Sequence, residues 1–294
     1  MVLRAWVTLD GARLTHQVSF ERGEDWVLGD LLRSHLPTLS TAAVSIGIQG
    51  PGQKITIQLM DGSGRILGFA KYADKPYTRS LAANEARMLE RIPKGVGPRL
   101  VGFMPFLEGD LLVQTALPGR PYRPRLRLDA AQLRFFERLV IPGKVYAASE
   151  HPFVKSLYTQ SGERRGLFEE ILKGFGNSEW PVAWTHGDMA PWNMRRWRGN
   201  CLAFDWEHGR EVGFAYLDAA ANLIQVASII RRADPREGKR AVSDELKARL
   251  PAQHAKFAPA IAALSALSML VSWYPPRLPD AYEVWLERFI EASF

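Results

Sequence analysis

The chain has 294 residues, 38 Lys+Arg against 31 Asp+Glu, 47% hydrophobic residues and a single Cys. That length buries a sizeable core in one large domain or two small ones, and the ordinary apolar and charged fractions exclude a disordered, collagen-like or coiled-coil protein. Cys201 alone forms neither an internal disulfide nor a cysteine-built metal site, so a reducing, cytoplasmic setting is expected. Only five residues separate Arg4 from Asp10, too few for the apolar core of a signal peptide. The net charge of +7 raises the question of nucleic acid, because phosphate backbones reward clustered cations. The clusters are Arg120, Arg123, Arg125 and Arg127, then Arg231, Arg232, Arg236, Lys239 and Arg240, interrupted by Asp234 and Glu237. No zinc-finger or RNA-binding signature accompanies them. A solvated face or the rim of an anionic-substrate site is expected instead, with no nucleic-acid partner.

In chain order, the residues before Thr115 read as mostly strands. Alternation at Trp6, Thr8, Arg13, Thr15 and Gln17 around Asp10-Gly11 predicts a hairpin, since that dipeptide tolerates positive φ. A short helix from about Trp26 to Leu36 ends at Pro37. Val44–Gln49, Lys54–Met60 and Ile66–Tyr72, separated by turns at Gly50–Gln53 and Asp61–Gly64, predict a three-strand meander. Leu81, Met88, Leu89 and Ile92 share one face of a helix over Ser80–Ile92. Strands around Pro98–Phe103 and Leu111–Thr115 follow, meeting at Glu108–Asp110.

After Pro118-Gly119 helical patterns dominate: Ala130–Val140, Gly162–Phe175, Tyr216–Arg231, Ala255–Trp273 and Tyr282–Ala292. A strand-and-loop island over Val182–Trp206 interrupts them. A strand-rich amino-terminal lobe and a helical carboxy-terminal lobe are therefore expected, with a cleft between them. The uncharged segment 257–276 approaches the ~20 residues of a bilayer span. It is rich in Ala and Ser and carries Pro259, Pro275 and Pro276, so a buried helix is expected and no membrane span.

The chemistry concentrates in Trp184-Thr-His186-Gly187-Asp188-Met-Ala-Pro191-Trp-Asn193-Met194, followed by Leu202-Ala-Phe-Asp205-Trp-Glu207. Gly187 and Pro191 enforce turns around Asp188 and Asn193, and Asp205 lies just past an apolar strand. Two carboxylates and one amide are thereby gathered at the ends of short strands. Mg²⁺ takes one or two carboxylates plus phosphate oxygens. A further unliganded carboxylate can orient a hydroxyl and accept its proton, as phosphoryl transfer requires.

The chain here resembles the aminoglycoside phosphotransferase and choline kinase families. Their signature is H-G-D-x-x-x-x-N followed about a dozen residues on by an aspartate in a D-W or D-x-E context; His186, Gly187, Asp188, Asn193, Asp205 and Glu207 match it. The resemblance implies an α+β, bilobal protein-kinase-like fold, with an antiparallel sheet and one key helix in the amino-terminal lobe. It implies Asp188 as catalytic base and Asn193 and Asp205 as Mg²⁺ ligands. It also implies that Lys71, on the third strand of the meander, holds the α and β phosphates and that Glu85 fixes its ammonium. The hinge is expected at Gln114-Thr115-Ala116, whose backbone would meet the adenine edge. The loop with Gly50 and Gly52 would lie over the phosphates. That loop lacks the full G-x-G-x-x-G pattern, so how the triphosphate is covered stays open, as does GTP in place of ATP. His186 is expected as a loop support rather than a metal ligand. Asp218 resembles the family's aspartate at the start of the following helix, with a solvated helix residue as the alternative.

The expected organisation is an extension over 1–41, a nucleotide-binding lobe over 42–115 and a catalytic and acceptor lobe over 116–294. The expected activity is transfer of the γ-phosphoryl of ATP to a hydroxyl of a small molecule. A protein kinase is the alternative within enzymes, disfavoured by the missing long segment after Asp205. A pseudokinase scaffold is the alternative outside them, disfavoured because a scaffold has no need of Lys71, Glu85, Asp188, Asn193 and Asp205 together. The arginine clusters point to a neutral or anionic acceptor, since they would repel a polycation.

Overall fold

Alternating β-branched and aromatic residues build the first sheet from β1 (Val2–Leu9), β2 (Ala12–Ser19), β3 (Leu39–Ile46), β4 (Ile55–Asp61), β5 (Ile66–Ala73), β6 (Leu100–Phe106) and β7 (Gly109–Thr115). Their order is β2-β1-β3-β4-β5-β7-β6. The computed structural model describes residues 2–9, 12–19, 27–47, 52–272 and 280–292. β1 and β2 pair antiparallel with Leu9 opposite Ala12; the Asp10-Gly11 turn lies outside the described residues. β1 joins the meander in parallel, with Trp6 opposite Ser45. Helix α1 (Val27–Arg33) precedes it, and Leu32, Leu39, Ala42, Ile57, Leu59, Ala70, Leu111 and Val113 form one core cluster. The meander β3-β4-β5 forms as expected and is antiparallel, with Lys71 opposite Thr56; β3 starts at Leu39, five residues before the expected Val44.

Helix α2 (Pro76–Arg91) starts four residues before the expected Ser80. Proline lacks only an N–H that the first turn leaves unused, and its fixed φ suits that position. Its buried face runs Thr78, Ala82, Glu85, Ala86, Met88 and Leu89, the three-and-four spacing of one helical stripe. Ala82 and Ala86 pack with Ala73 and Leu112.

The chain divides into two compact units: Met1–Glu90 with Pro98–Leu117, and Arg91–Gly97 with Pro118–Phe294. The second contains β8 (Arg120–Pro121), α3 (Ala130–Leu139), β9 (Val140–Ala147), α4 (Pro152–Gln160), α5 (Arg165–Lys173), β10 (Glu179–Thr185), β11 (Met194–Trp197), β12 (Asn200–Ala203) and β13 (Arg210–Phe214). Then come α6 (Leu217–Gln225), a π-helical turn Val226–Ile230, α7 (Pro235–Arg249), α8 (Ala252–Ala255), α9 (Ala258–Ser272) and α10 (Asp280–Glu291). Two small sheets, β13-β10-β9 and β12-β11-β8, carry the loops between them.

Six of these elements, β8, β9, α4, β13, α7 and α8, escape the sequence reading. Strand β9 contains Pro142 and Gly143, which read as a turn. Helix α4 is capped by His151, whose Nδ1 accepts from Phe153 N–H at 3.2 Å, and histidine is not a usual cap residue. Helix α7 buries only Gly238, Lys239, Val242 and Leu246, so its apolar stripe is too thin to register. The uncharged segment forms α9, a helix packed against α4, α5, α6, α7 and α10 and buried from Ile261 to Leu267. Among the described residues no helix is long and apolar enough to cross a membrane.

Candidate active site

In the first unit, Lys71 and Glu85 meet. The Lys71 ammonium donates to both carboxylate oxygens of Glu85, at 2.9 and 2.6 Å. Glu85 is fully buried and the Lys71 side chain is 11% exposed. Helix α2 turns Glu85 toward the sheet because it shares the stripe of Ala82 and Leu89. A carboxylate withdrawn so far from water persists only with a close cationic partner.

In the second unit, β10 ends at Thr185 and the chain turns sharply. Gly187 has φ +80°, and a Cβ there would collide with the His208 carbonyl oxygen, so glycine is required. Asp218, at the start of α6, accepts from His186 N–H at 2.6 Å and Gly187 N–H at 3.1 Å. It clamps the turn from beneath and is buried, so it is not a solvated helix residue. Burial pushes its carboxyl up to about 6, against the pull of those two N–H groups. His186 Nδ1 accepts from Asp188 N–H at 3.3 Å, which assigns the ring proton to Nε2, 2.8 Å from the Phe204 carbonyl oxygen. The same ring packs on Trp206 at 4.8 Å between centroids. His186 therefore supports the loop.

The Asp188 carboxylate is held on both sides. Gln225 Nε2 donates to Oδ1 at 3.0 Å, while Asn193 Nδ2 donates to Oδ2 at 3.3 Å and to the Asp188 carbonyl at 3.0 Å. Phe204 N–H donates to the Asn193 carbonyl at 3.0 Å, so the residue before Asp205 is tied to both Asn193 and His186. Asp205 has φ 72° and ψ 53°, a left-handed conformation that aspartate adopts more readily than most residues. Burial raises the Asp188 carboxyl to about 7, with the neighbouring Asp205 charge adding to it and the Gln225 and Asn193 hydrogen bonds opposing it.

These residues fit a divalent cation by donor chemistry. Asn193 spends its N–H groups on Asp188, leaving its amide oxygen as a hard donor, and the Asp205 carboxylate is a second. The Asp205 charge lies close enough to raise the proton affinity of Asp188, a repulsion that a cation between the ligands relieves.

Of the other expected site residues, Gly50 lies outside the described residues, and Gly52 sits in a turn. Gln114 is buried, and its side-chain oxygen has no hydrogen-bond partner among the described residues. Thr115 N–H donates to Arg99 O and Ala116 N–H to Leu67 O, at 3.0 and 3.2 Å. Trp206 is fully buried and donates to Ala203 O at 2.9 Å, whereas Trp192 is 42% exposed. Gln225 escapes the sequence reading. It lies two helical turns after Asp218 on α6, but every residue from Leu217 to Gln225 is buried, so no polar face singles it out.

No protein-family model and no curated protein matches the chain. Solved structures do. Amicoumacin kinase hAmiN, in complex with AMP-PNP, Ca²⁺ and Ami, is similar at a TM-score of 0.51 and 14% identity, over 90% of this chain and 92% of that one. A thermostable mutant of aminoglycoside phosphotransferase APH(4)-Ia, in a ternary complex with ADP and hygromycin B, gives 0.53 and 11% over 90% and 97%. A protein proposed to be a fructosamine-3-kinase, from Haemophilus somnus 129PT, gives 0.53 and 12% over 91% and 96%. The chain thus has the protein-kinase-like α+β fold expected from its motifs, an antiparallel sheet in the first unit and a mainly helical second unit.

Proposed function

We propose that this protein is a small-molecule kinase that moves the γ-phosphoryl group of ATP to an acceptor hydroxyl. The observation that carries the reading is the Asp188 carboxylate, held between Gln225 and Asn193 with Asp205 beside it, in a motif whose spacing matches the aminoglycoside phosphotransferase and choline kinase families. The similar structures bound to AMP-PNP and ADP support it.

In this reading Asp188 accepts a hydrogen bond from the acceptor hydroxyl and takes its proton. The acceptor oxygen bonds to the γ-phosphorus as the bond to the β,γ-bridging oxygen breaks, and ADP leaves. Gln225 and Asn193 keep the carboxylate oriented toward the acceptor. Lys71, steadied by Glu85, receives the α and β phosphates; Gln114, Thr115 and Ala116 border the adenine, and the turn with Gly50 and Gly52 covers the phosphates. Asn193 and Asp205 hold the divalent cation, Mg²⁺ in this proposal. Bound there, it supplies charge neutralisation at the phosphates, which with positioning makes up most of phosphoryl-transfer catalysis.

The test is ADP release by the purified protein with ATP and Mg²⁺ across sugars, sugar phosphates, aminoglycosides and choline-like amines. Turnover on at least one, lowered ~10²-fold or more in Asp188→Asn, is expected. Undiminished turnover in Asp188→Asn removes the assignment.

A further inference from the structure

The segment leading into α3 reads Arg120-Pro-Tyr-Arg123-Pro-Arg125-Leu-Arg127. Pro121 and Pro124 bias the residues before them, Arg120 and Arg123, to extended conformations. Arg123, Arg125 and Arg127 line one cavity of about 510 Å³ within the second unit, together with Arg120, Arg196 of β11 and Arg249 of α7. That volume is of small-molecule size, within the range of ~300–1,000 Å³. Six arginines line it against one carboxylate residue, Asp129.

Asp129 is already engaged. It caps α3 by accepting from Ala131 N–H and Gln132 N–H, accepts from the Tyr122 hydroxyl, and pairs with Arg196 at 2.8 Å. Arg249 pairs with Glu245 at 3.1 Å. Among the described residues Arg120, Arg123, Arg125 and Arg127 have no carboxylate partner. Cations gathered around one concavity repel one another and focus a positive potential into it. A phosphate group reverses that sign, and the planar fork of guanidinium matches its oxygens two at a time.

The cavity also shares helix α6 with the support of Asp188. Asn222 of α6 lines it, and Gln225, which holds Asp188, is three residues further along the same helix. Such pairs are neighbours on a helix surface, ~5–6 Å apart at Cβ. One turn of α6 therefore serves both the wall of the cavity and the support of Asp188.

We infer that this cavity seats a phosphate group carried by the acceptor, so that the acceptor is a phosphorylated hydroxyl compound. The inference rests on the kinase reading for the word acceptor, but its anion site stands on the arginines alone. The test is calorimetry on the full chain with inorganic pyrophosphate, in the wild type and in Arg123→Gln/Arg125→Gln/Arg127→Gln. These side chains are exposed, so the variant should fold, and its melting temperature is compared first. The variant is expected to bind pyrophosphate at least about tenfold more weakly, on the scale of lost charge-assisted hydrogen bonds, with MgATP affinity unchanged. In turnover assays it should raise KM for glucose 6-phosphate or a similar phosphorylated acceptor more than for the unphosphorylated sugar.

Pyrophosphate binding that is undetectable in the wild type, or equal in both proteins, overturns the inference. A parallel loss of MgATP affinity does so too, by giving the cavity to the nucleotide. So does a 20-residue RNA (about that length spans many phosphates) that binds more tightly than pyrophosphate, with steep salt dependence, through the same arginines. MgATP affinity is measured separately: its absence in the wild type, with the pyrophosphate result intact, sinks the kinase reading and leaves the anion site standing.

Discussion

Gln225 Nε2, on the last residue of α6, donates a 3.0 Å hydrogen bond to Asp188 Oδ1 across 37 positions of sequence. An aspartate that takes a proton from a hydroxyl, the role proposed for Asp188, must present one defined lone pair, and this bond together with that of Asn193 to Oδ2 fixes the carboxylate that presents it. Gln225→Ala is expected to lower kcat about tenfold, the scale of a hydrogen bond to a charged group, with KM for ATP unchanged. Gln225→Glu should be worse, because it replaces a donor with a carboxylate facing Asp188. Steady-state kinetics on all three proteins check this, and an unchanged kcat in Gln225→Ala removes the positioning role.

Asp188→Asn is isosteric and leaves the loop anchored by Asp218 and His186. Turnover should drop ~10²-fold or more, the contribution of a general base. Nucleotide affinity and melting temperature should stay near wild type. A large loss of nucleotide affinity would place Asp188 among the binding residues instead.

Asp205→Ala should weaken nucleotide binding in the presence of Mg²⁺ at least about tenfold, because Mg²⁺ is held by few carboxylates and cannot spare one. In EDTA the wild type and the variant should bind nucleotide alike. Calorimetry with and without the chelator decides it; equal affinity in Mg²⁺ sinks the ligand assignment.

Glu85 is fully buried against Lys71. Removing either partner leaves an uncompensated charge, so Lys71→Met and Glu85→Gln should each cost about 3 kcal/mol of stability. The double variant should cost less than their sum by at least ~1 kcal/mol, as contacting residues do. Urea unfolding of the four proteins measures the coupling, and additive losses would mean that the two side chains do not interact in solution.

His151 is fully buried, packed on Phe214 at 4.9 Å between ring centroids. Burial lowers its pKa from 6.5 to about 4, despite the nearby Pro181 carbonyl. Between those values the unfolded chain binds a proton that the folded chain does not. Stability should therefore fall as pH drops from about 6.5 to about 4, by at most about 3 kcal/mol from this group. His151→Asn keeps an acceptor at the cap of α4 and removes the titration. Its stability should depend less on pH over that window, as denaturation at pH 7, 6, 5 and 4.5 (about the range between the two values) would show.

Much of the fold was legible where a local pattern had one meaning. The Val44–Tyr72 meander alternated with period two between turn-forming glycines, and it appears as β3, β4 and β5, with only β3 displaced toward the amino terminus. Helix α7 was not legible, because its buried face carries only two aliphatic side chains, Val242 and Leu246, among charged residues. Strand β9 was lost to its own Pro142 and Gly143, residues that mark turns far more often than strands.

The candidate site divides the same way. The spacing of His186, Gly187, Asp188, Asn193 and Asp205 was readable because a loop chemistry within twenty residues is written consecutively, and the turn residues that shape it lie in the same stretch. By itself the sequence determined which oxygen donors the loop offers and that glycine and proline bend it. Only the tertiary structure decided that Glu85, a charge on an amphipathic helix, is buried, that Asp218 clamps the turn and that Gln225 holds the Asp188 carboxylate. It also decided that arginines from Arg120 to Arg249 face one cavity. Burial and long-range hydrogen bonds depend on which surfaces pack together, and no local periodicity encodes a partner dozens of residues away.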